Sequence, residues 1–207
     1  MKSLIKLSIV FLAVVLGLDS FAQKIGFKVG YNFATMLAKS NSTTVDTKMT
    51  PGFHVGLTAK FPVSEILSIE SALQLTTKGM KYTFAYFDHS YFLTYLEMPL
   101  MAKAEISHGQ FNFFAVLGPY IGVGLMGESF GTSRSDINWG YDNEKDALKP
   151  WDLGLNMGGG IGFKKMQLEC IYGLGLNNIS PYNGNGTKLK NRVLGISFGY
   201  WFGKERK

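Results

Sequence analysis

Cysteine is almost missing from this sequence: Cys170 stands alone among 207 residues. One cysteine excludes a disulfide framework within the chain and any cysteine-based metal site. Charge is scarce as well. Asp, Glu, Lys and Arg make up 17% of the residues, against about a quarter in ordinary soluble domains. Such a chain has less need of a wetted exterior than most. There are three histidines, His54, His89 and His108, and their spacing fits no metal motif. Beyond residue 22 no apolar run approaches the roughly 20 residues that a membrane-crossing helix needs. If the rest of the chain enters a bilayer, it must do so as a closed barrel, the other fold that satisfies every backbone polar group in lipid.

The N-terminus reads as an address. Lys2 and Lys6 precede an almost unbroken apolar run from Leu7 to Leu18, and Ser20-Phe21-Ala22 supplies small residues where a signal peptidase cuts. The run is too short for a spanning helix. The expectation is a cleaved signal peptide over 1–22 and one domain over 23–207.

From Lys24 the pattern has period two, the signature of a strand with two unlike faces. In Lys24–Ala34, Ile25, Phe27, Val29, Tyr31 and Phe33 share one face, while Lys24, Gly26, Lys28, Gly30 and Asn32 share the other. Similar segments follow at Gly52–Phe61, Ile66–Thr77, Phe92–Ala104, Trp151–Phe163, Met166–Asn177 and Val193–Phe202. Phe111–Leu125 is apolar on both faces, which leaves its orientation open. Pro99 lies inside the fourth segment, where it suggests an edge or a bulge. The connections alternate. Residues 35–50, 78–90, 126–150 and 178–190 are long and polar, whereas 62–65, 105–110 and 164–165 are short.

Bulk decides which face is outside. The polar faces are built from Gly, Ser, Thr, Asn and a few charges, too small and sparse for a soluble exterior but suited to a narrow lumen. The other faces carry large Leu, Ile, Phe and Tyr, which suit lipid. Aromatics gather at the segment ends: Tyr31, Phe33, Phe53 and Trp151 on the loop side, Phe27, Phe61, Phe163, Tyr200 and Phe202 on the turn side. These match the aromatic girdles of a membrane barrel. The expected fold is all-β: an eight-stranded antiparallel transmembrane β-barrel with short periplasmic turns and long extracellular loops, in the bacterial outer membrane.

Several stretches strengthen this expectation. The opening Gly26-Phe-Lys-Val-Gly30-Tyr-Asn32-Phe, the central Tyr95-Leu-Glu97-Met-Pro99-Leu, then Trp151-Asp152-Leu-Gly154, Tyr172-Gly173-Leu-Gly175-Leu and the closing Arg192 to Phe202 resemble the PorT-like family of outer-membrane β-barrels. The resemblance implies the same barrel. The founding member's link to protein secretion belongs to that member, because function sits in sites grafted on a scaffold. Unlike the family pattern, this chain continues past Phe202 as Gly-Lys-Glu-Arg-Lys.

No catalytic, cofactor-binding or metal site is expected. Gly122-Val-Gly124-Leu-Met-Gly127 matches a dinucleotide fingerprint in spacing, but the polar stretch after it has no helical periodicity, and that motif needs a helix next. His54 falls on a lumen face, where a Ser-His-Asp set would require Asp152 and a serine beside it. The charged residues that fall on interior faces are Lys28, Lys60, Glu70, Glu97, Lys103 and Glu169. They are expected to form an internal network, since an isolated buried charge is costly. The net charge is +6. Its Lys and Arg are scattered in sequence, so they read as loop charge and not as a nucleic-acid surface. Expected partners are the outer-membrane bilayer, the barrel-insertion machinery, and a further extracellular or periplasmic partner whose identity the sequence leaves open. Trp139 and Tyr141, in the longest loop, are candidates for recognition. The role that follows is structural or accessory, through extracellular loops. The alternatives are a narrow solute pore and, less favoured, an embedded hydrolase or acyltransferase.

Overall fold

The computed structural model describes residues 24–40, 43–84, 87–131, 133–182 and 184–202. The expected leader over 1–22 and the tail after Phe202 lie outside the described residues. The described chain is a ring of antiparallel strands: β1 (Lys24–Ser40), β2 (Thr43–Val45), β3 (Thr50–Pro62), β4 (Leu67–Phe84), β5 (Phe87–His108), β6 (Phe111–Phe130), β7 (Arg134–Asp136), β8 (Trp151–Phe163), β9 (Met166–Gly175) and β10 (Lys188–Trp201). Eight of them form the wall in the order β10-β9-β8-β6-β5-β4-β3-β1, and β10 pairs with β1 from Gly26↔Trp201 to Lys39↔Lys188. That pairing closes the sheet, so the wall has no free edge. The short β2 and β7 pair with the upper ends of β1 and β6.

Alternation sets the facing. Along β1 the buried residues Lys28, Asn32, Ala34 and Met36 alternate with exposed Ile25, Val29, Tyr31 and Phe33. The outer wall shows Val55, Leu57, Ile69, Leu75, Leu100, Leu117, Leu153, Leu168, Ile196 and Phe198. A continuous apolar band of this kind would be an aggregation surface in water and is a solvation surface in lipid. Aromatic clusters bound it. Tyr31 and Phe33 meet edge-on at 5.4 Å on the loop side, while Phe27, Tyr200 and Phe202 lie within 5.7–6.1 Å of one another on the turn side.

The structure departs from the sequence expectation at several points: β1, β6 and β10 reach into the stretches 35–50, 126–150 and 178–190 read as loops, which also hold the short β2 and β7. Residues 78–90 are not a long loop, because β4 and β5 continue far past the lipid span as a ladder from Lys78↔Leu93 to Phe84↔Phe87. Outside the bilayer the outward positions need not be apolar, so Lys81 and Thr83 hide a strand that Tyr82 and Tyr91 still favour. Residues 105–110 are likewise mostly β5, with the turn at Gly109 (φ 61°). Pro99 marks neither an edge nor the bulge. It sits in register opposite Tyr120, while the register shift falls between Thr94 and Tyr95. There Leu125 of β6 is the extra residue, and it and Met126 both face outward.

The open orientation of the fifth segment resolves as Phe114, Val116 and Tyr120 inward, Phe113, Leu117 and Ile121 outward. The reason lies on the neighbouring strand. Phe114 pairs with Gly160 and Tyr120 with Gly154. A Cβ on Gly160 would come within 2.6 Å of the Phe114 ring, and one on Gly154 would overlap the Tyr120 ring. The glycines of β8 leave the lumen space that the rings of β6 occupy.

Candidate functional site: the barrel lumen

The six charged residues expected on interior faces all lie in the lumen, and the structure sorts them into two levels. Toward the turn end, Lys28 pairs with Glu169 at 3.2 Å and Lys103 with Glu70 at 3.1 Å. Lys60 lies opposite Glu70 in the β3–β4 register, yet its ammonium reaches across to Glu105 at 2.9 Å. Glu105 falls in the short connection that the sequence suggests over 105–110, so its inward place on β5 is hidden from the sequence. It balances this level at three ammonium groups and three carboxylates. Gln167 and Trp201 complete it: Lys103 and the Trp201 indole N–H both donate to Gln167 Oε1 at 3.0 Å. Lys103 Nζ also lies 3.7 Å from the centre of the Phe114 ring.

Glu97 belongs to the second level, nearer the loops. Its partner is Lys78, which also binds Asp152 at 2.8 Å. Asp152 Oδ2 accepts further from Asn191 Nδ2 at 2.9 Å and from the Tyr120 hydroxyl at 3.2 Å. Lys78 Nζ stands 4.2 Å from the centre of the Tyr120 ring. Lys78 begins the stretch that reads as a loop in sequence, so its place in the lumen is hidden there although it belongs to β4. The available signal was parity, since Lys78 continues the inward series of Glu70, Gln74 and Thr76. Glu97, Asp152 and Lys78 are 4%, 0% and 4% exposed, so this level holds two buried carboxylates on one ammonium.

Between the levels lies a chain of hydrogen bonds. Asn32 Nδ2 faces three acceptors, the Phe53 and Thr77 carbonyls and Thr76 Oγ1, at 2.9–3.2 Å. That fixes the amide, so Oδ1 turns to His54 Nδ1 at 2.7 Å and accepts its proton. In neutral His54 the other nitrogen, Nε2, then accepts from the Ser197 hydroxyl at 2.6 Å. Asp152 is engaged with Lys78 instead. The polarity is that of a nucleophile, base and orienter, but Ser197 is 3% exposed. The neighbouring cavity, lined by Asn32, His54, Gln74, Asn156 and Ser197 among others, holds about 60 Å³. That is room for water molecules and not for an acyl substrate.

Above the second level an apolar lid fills the mouth. Met36 of β1, Met80 of β4, Leu93 and Tyr95 of β5, and Ile137, Leu148 and Ile179 from two loops form one buried cluster. Trp139 turns into this lid, edge-on to Tyr95 at 5.5 Å, and is therefore not the free recognition residue that its place in a loop suggested. Tyr141 is exposed. The other histidines lie apart from the lumen site: His89 stacks on Tyr82 at 5.2 Å, and His108 ends β5. Gly122 and Gly124 are strand residues of β6, and a Cβ on Gly124 would run into Trp139.

Solved structures of small outer-membrane barrels resemble this chain. Ail from Yersinia pestis, solved with the heparin analogue sucrose octasulfate, is 14% identical over 87% of this chain and 99% of its own, with a TM-score of 0.45. Neisserial surface protein A is 15% identical over 85% and 97%, with a TM-score of 0.43. Outer membrane protein W of E. coli is 15% identical over 88% and 100%, with a TM-score of 0.44. No curated protein matches the sequence. The description of the outer membrane protein beta-barrel domain matches residues 21–180. With its closed wall, lipid-facing band and polar lumen, the chain belongs to the outer membrane protein beta-barrel domain family, and its place is the bacterial outer membrane.

Proposed function

We propose that this protein is a closed, non-enzymatic barrel: a scaffold that holds an extracellular rim in place for structural or recognition roles and passes no solute. The observation that carries this reading is the filled lumen. Two levels of buried ion pairs and an apolar lid stand in series along the axis. An eight-stranded barrel has an interior about wide enough for its own side chains. In that space the pairs act as fixed struts, because breaking one strands a charge in low dielectric.

The test is paired: unfolding stability and planar-bilayer conductance of the parent and of Glu70→Ala. The parent should show no steady conductance. Glu70→Ala should lose about 3–5 kcal/mol, the usual penalty for leaving a buried partner uncompensated. A steady current in the parent, with ion selectivity altered and stability unchanged in the variant, would make these charges the lining of a working pore.

A further inference from the structure

The cations that look scattered in the sequence gather on one side of the barrel. From Cys170 to Phe202 there is no Asp or Glu, and between Lys24 and Ser64 the sole carboxylate is Asp46. In the closed wall β10 lies beside β1, and their register sets Lys39 opposite Lys188, Leu37 opposite Lys190 and Thr35 opposite Arg192. The inward positions of β10 here are Asn191, Gly195 and Ser197, so Lys188, Lys190 and Arg192 point outward. Lys48 and Lys81 pair backbone to backbone two strands further round, and both are exposed. Among the described residues none of these six cations has an ion pair.

The other side of the rim differs. Residues 126–150 carry Glu128, Asp136, Asp142, Glu144 and Asp146 against Arg134, Lys145 and Lys149. There Arg134 pairs with Glu128 and Lys145 with Asp142.

Height narrows the partner. Arg192 is the next outward residue after Leu194, which stands opposite Phe33 of the aromatic girdle. At about 3.4 Å per residue along a tilted strand, Arg192 and Lys190 fall in the head-group layer, with Lys188 and Lys39 just outside it. These side chains project sideways from the wall, so their counter-charge must stand beside the barrel and not above it. We propose that this face of β10 and β1, extended by Lys48 and Lys81, binds phosphate-bearing lipid head groups of the outer leaflet. Arg192 supplies a planar fork that suits phosphate, and the lysines act as point charges around it.

The probe is bilayer nanodiscs of phosphatidylcholine doped with a minor fraction of diphosphorylated lipid A, or with the same glycolipid after phosphatase treatment. Lipid retained per barrel is counted by native mass spectrometry. Parent protein should keep the phosphorylated lipid in preference to the dephosphorylated one. Each cation removed should weaken retention roughly fivefold, so Lys188→Gln/Lys190→Gln/Arg192→Gln together should weaken it on the order of a hundredfold. Arg134→Gln/Lys145→Gln, on the other side, should behave as the parent. If the triple variant does not fold, retention by the parent must still fall as salt rises, since exposed charges are screened. Equal retention of both glycolipids, equal retention by parent and triple variant, or indifference to salt would overturn the proposal. So would tighter binding of a soluble sulfated polysaccharide than of the phosphorylated lipid at matched charge and salt, which would make the ligand a soluble polyanion.

Discussion

Lys78 is held by two carboxylates, Glu97 and Asp152, at a level where all three are buried. The two kinds of change should therefore differ sharply. Lys78→Met leaves two uncompensated anions and should lower unfolding stability by about 3–5 kcal/mol. Asp152→Asn keeps an oxygen for Asn191 and Tyr120 and leaves Lys78 one full partner in Glu97, so it should stay within about 1 kcal/mol of the parent. Urea unfolding in detergent checks both. Ser197 invites a second measurement. Its hydroxyl bonds to His54, but the closed lumen should keep a fluorophosphonate probe from labelling it in the folded barrel. Ser197→Ala should cost about 1–3 kcal/mol by leaving His54 Nε2 buried and unpaired. Labelling of Ser197 at a rate above that of the unfolded chain would favour the hydrolase.

Strands can be read in part from sequence, and β4 shows how far. From Leu67 to Thr77 the outward residues Ile69, Leu73 and Leu75 are apolar, so lipid writes the strand into the chain. Leu73→Arg should cost roughly 2–4 kcal/mol near the bilayer midplane, whereas Leu73→Met should cost under about 1.5 kcal/mol. Folding yield into vesicles of graded urea content measures the difference, and equal costs would move Leu73 off the lipid face. Above Thr77 the same strand runs on to Phe84, but its outward residues meet water and the alternation fades. The ladder with β5 holds it there, and that pairing is non-local information. β6 fails differently: Phe113 and Phe114 are equally apolar, and the space left by Gly160 and Gly154 across the strand pair goes with the face that enters the lumen.

At the scale of the whole molecule, closure through β1 and β10 joins the eight wall strands into one ring with its apolar band turned outward. The folded protein should therefore pellet with outer membranes and resist carbonate extraction. On gels, unheated and heated samples should migrate differently. Recovery as a soluble periplasmic monomer would contradict the band. Closure also gives the rim its charge asymmetry, because it brings Lys188, Lys190 and Arg192 next to Lys39, about 150 positions away in sequence.

The sequence by itself determined which residues face lipid and which face the lumen through most of the wall. The bilayer acts on each residue separately, so the period-two pattern is a local record of it. It likewise determined that Lys28, Lys60, Glu70, Glu97, Lys103 and Glu169 point inward. The tertiary structure alone decided the rest. Lys60 sits opposite Glu70 in register but reaches Glu105; Asp152 binds Lys78 while Asn32 and Ser197 flank His54; Trp139 leaves its loop to help shut the mouth. Each of these depends on the reach of a side chain across a lumen, or on the fold-back of a loop, between residues distant in sequence. Neither composition nor periodicity carries such distances, and packing within a closed ring of fixed width does.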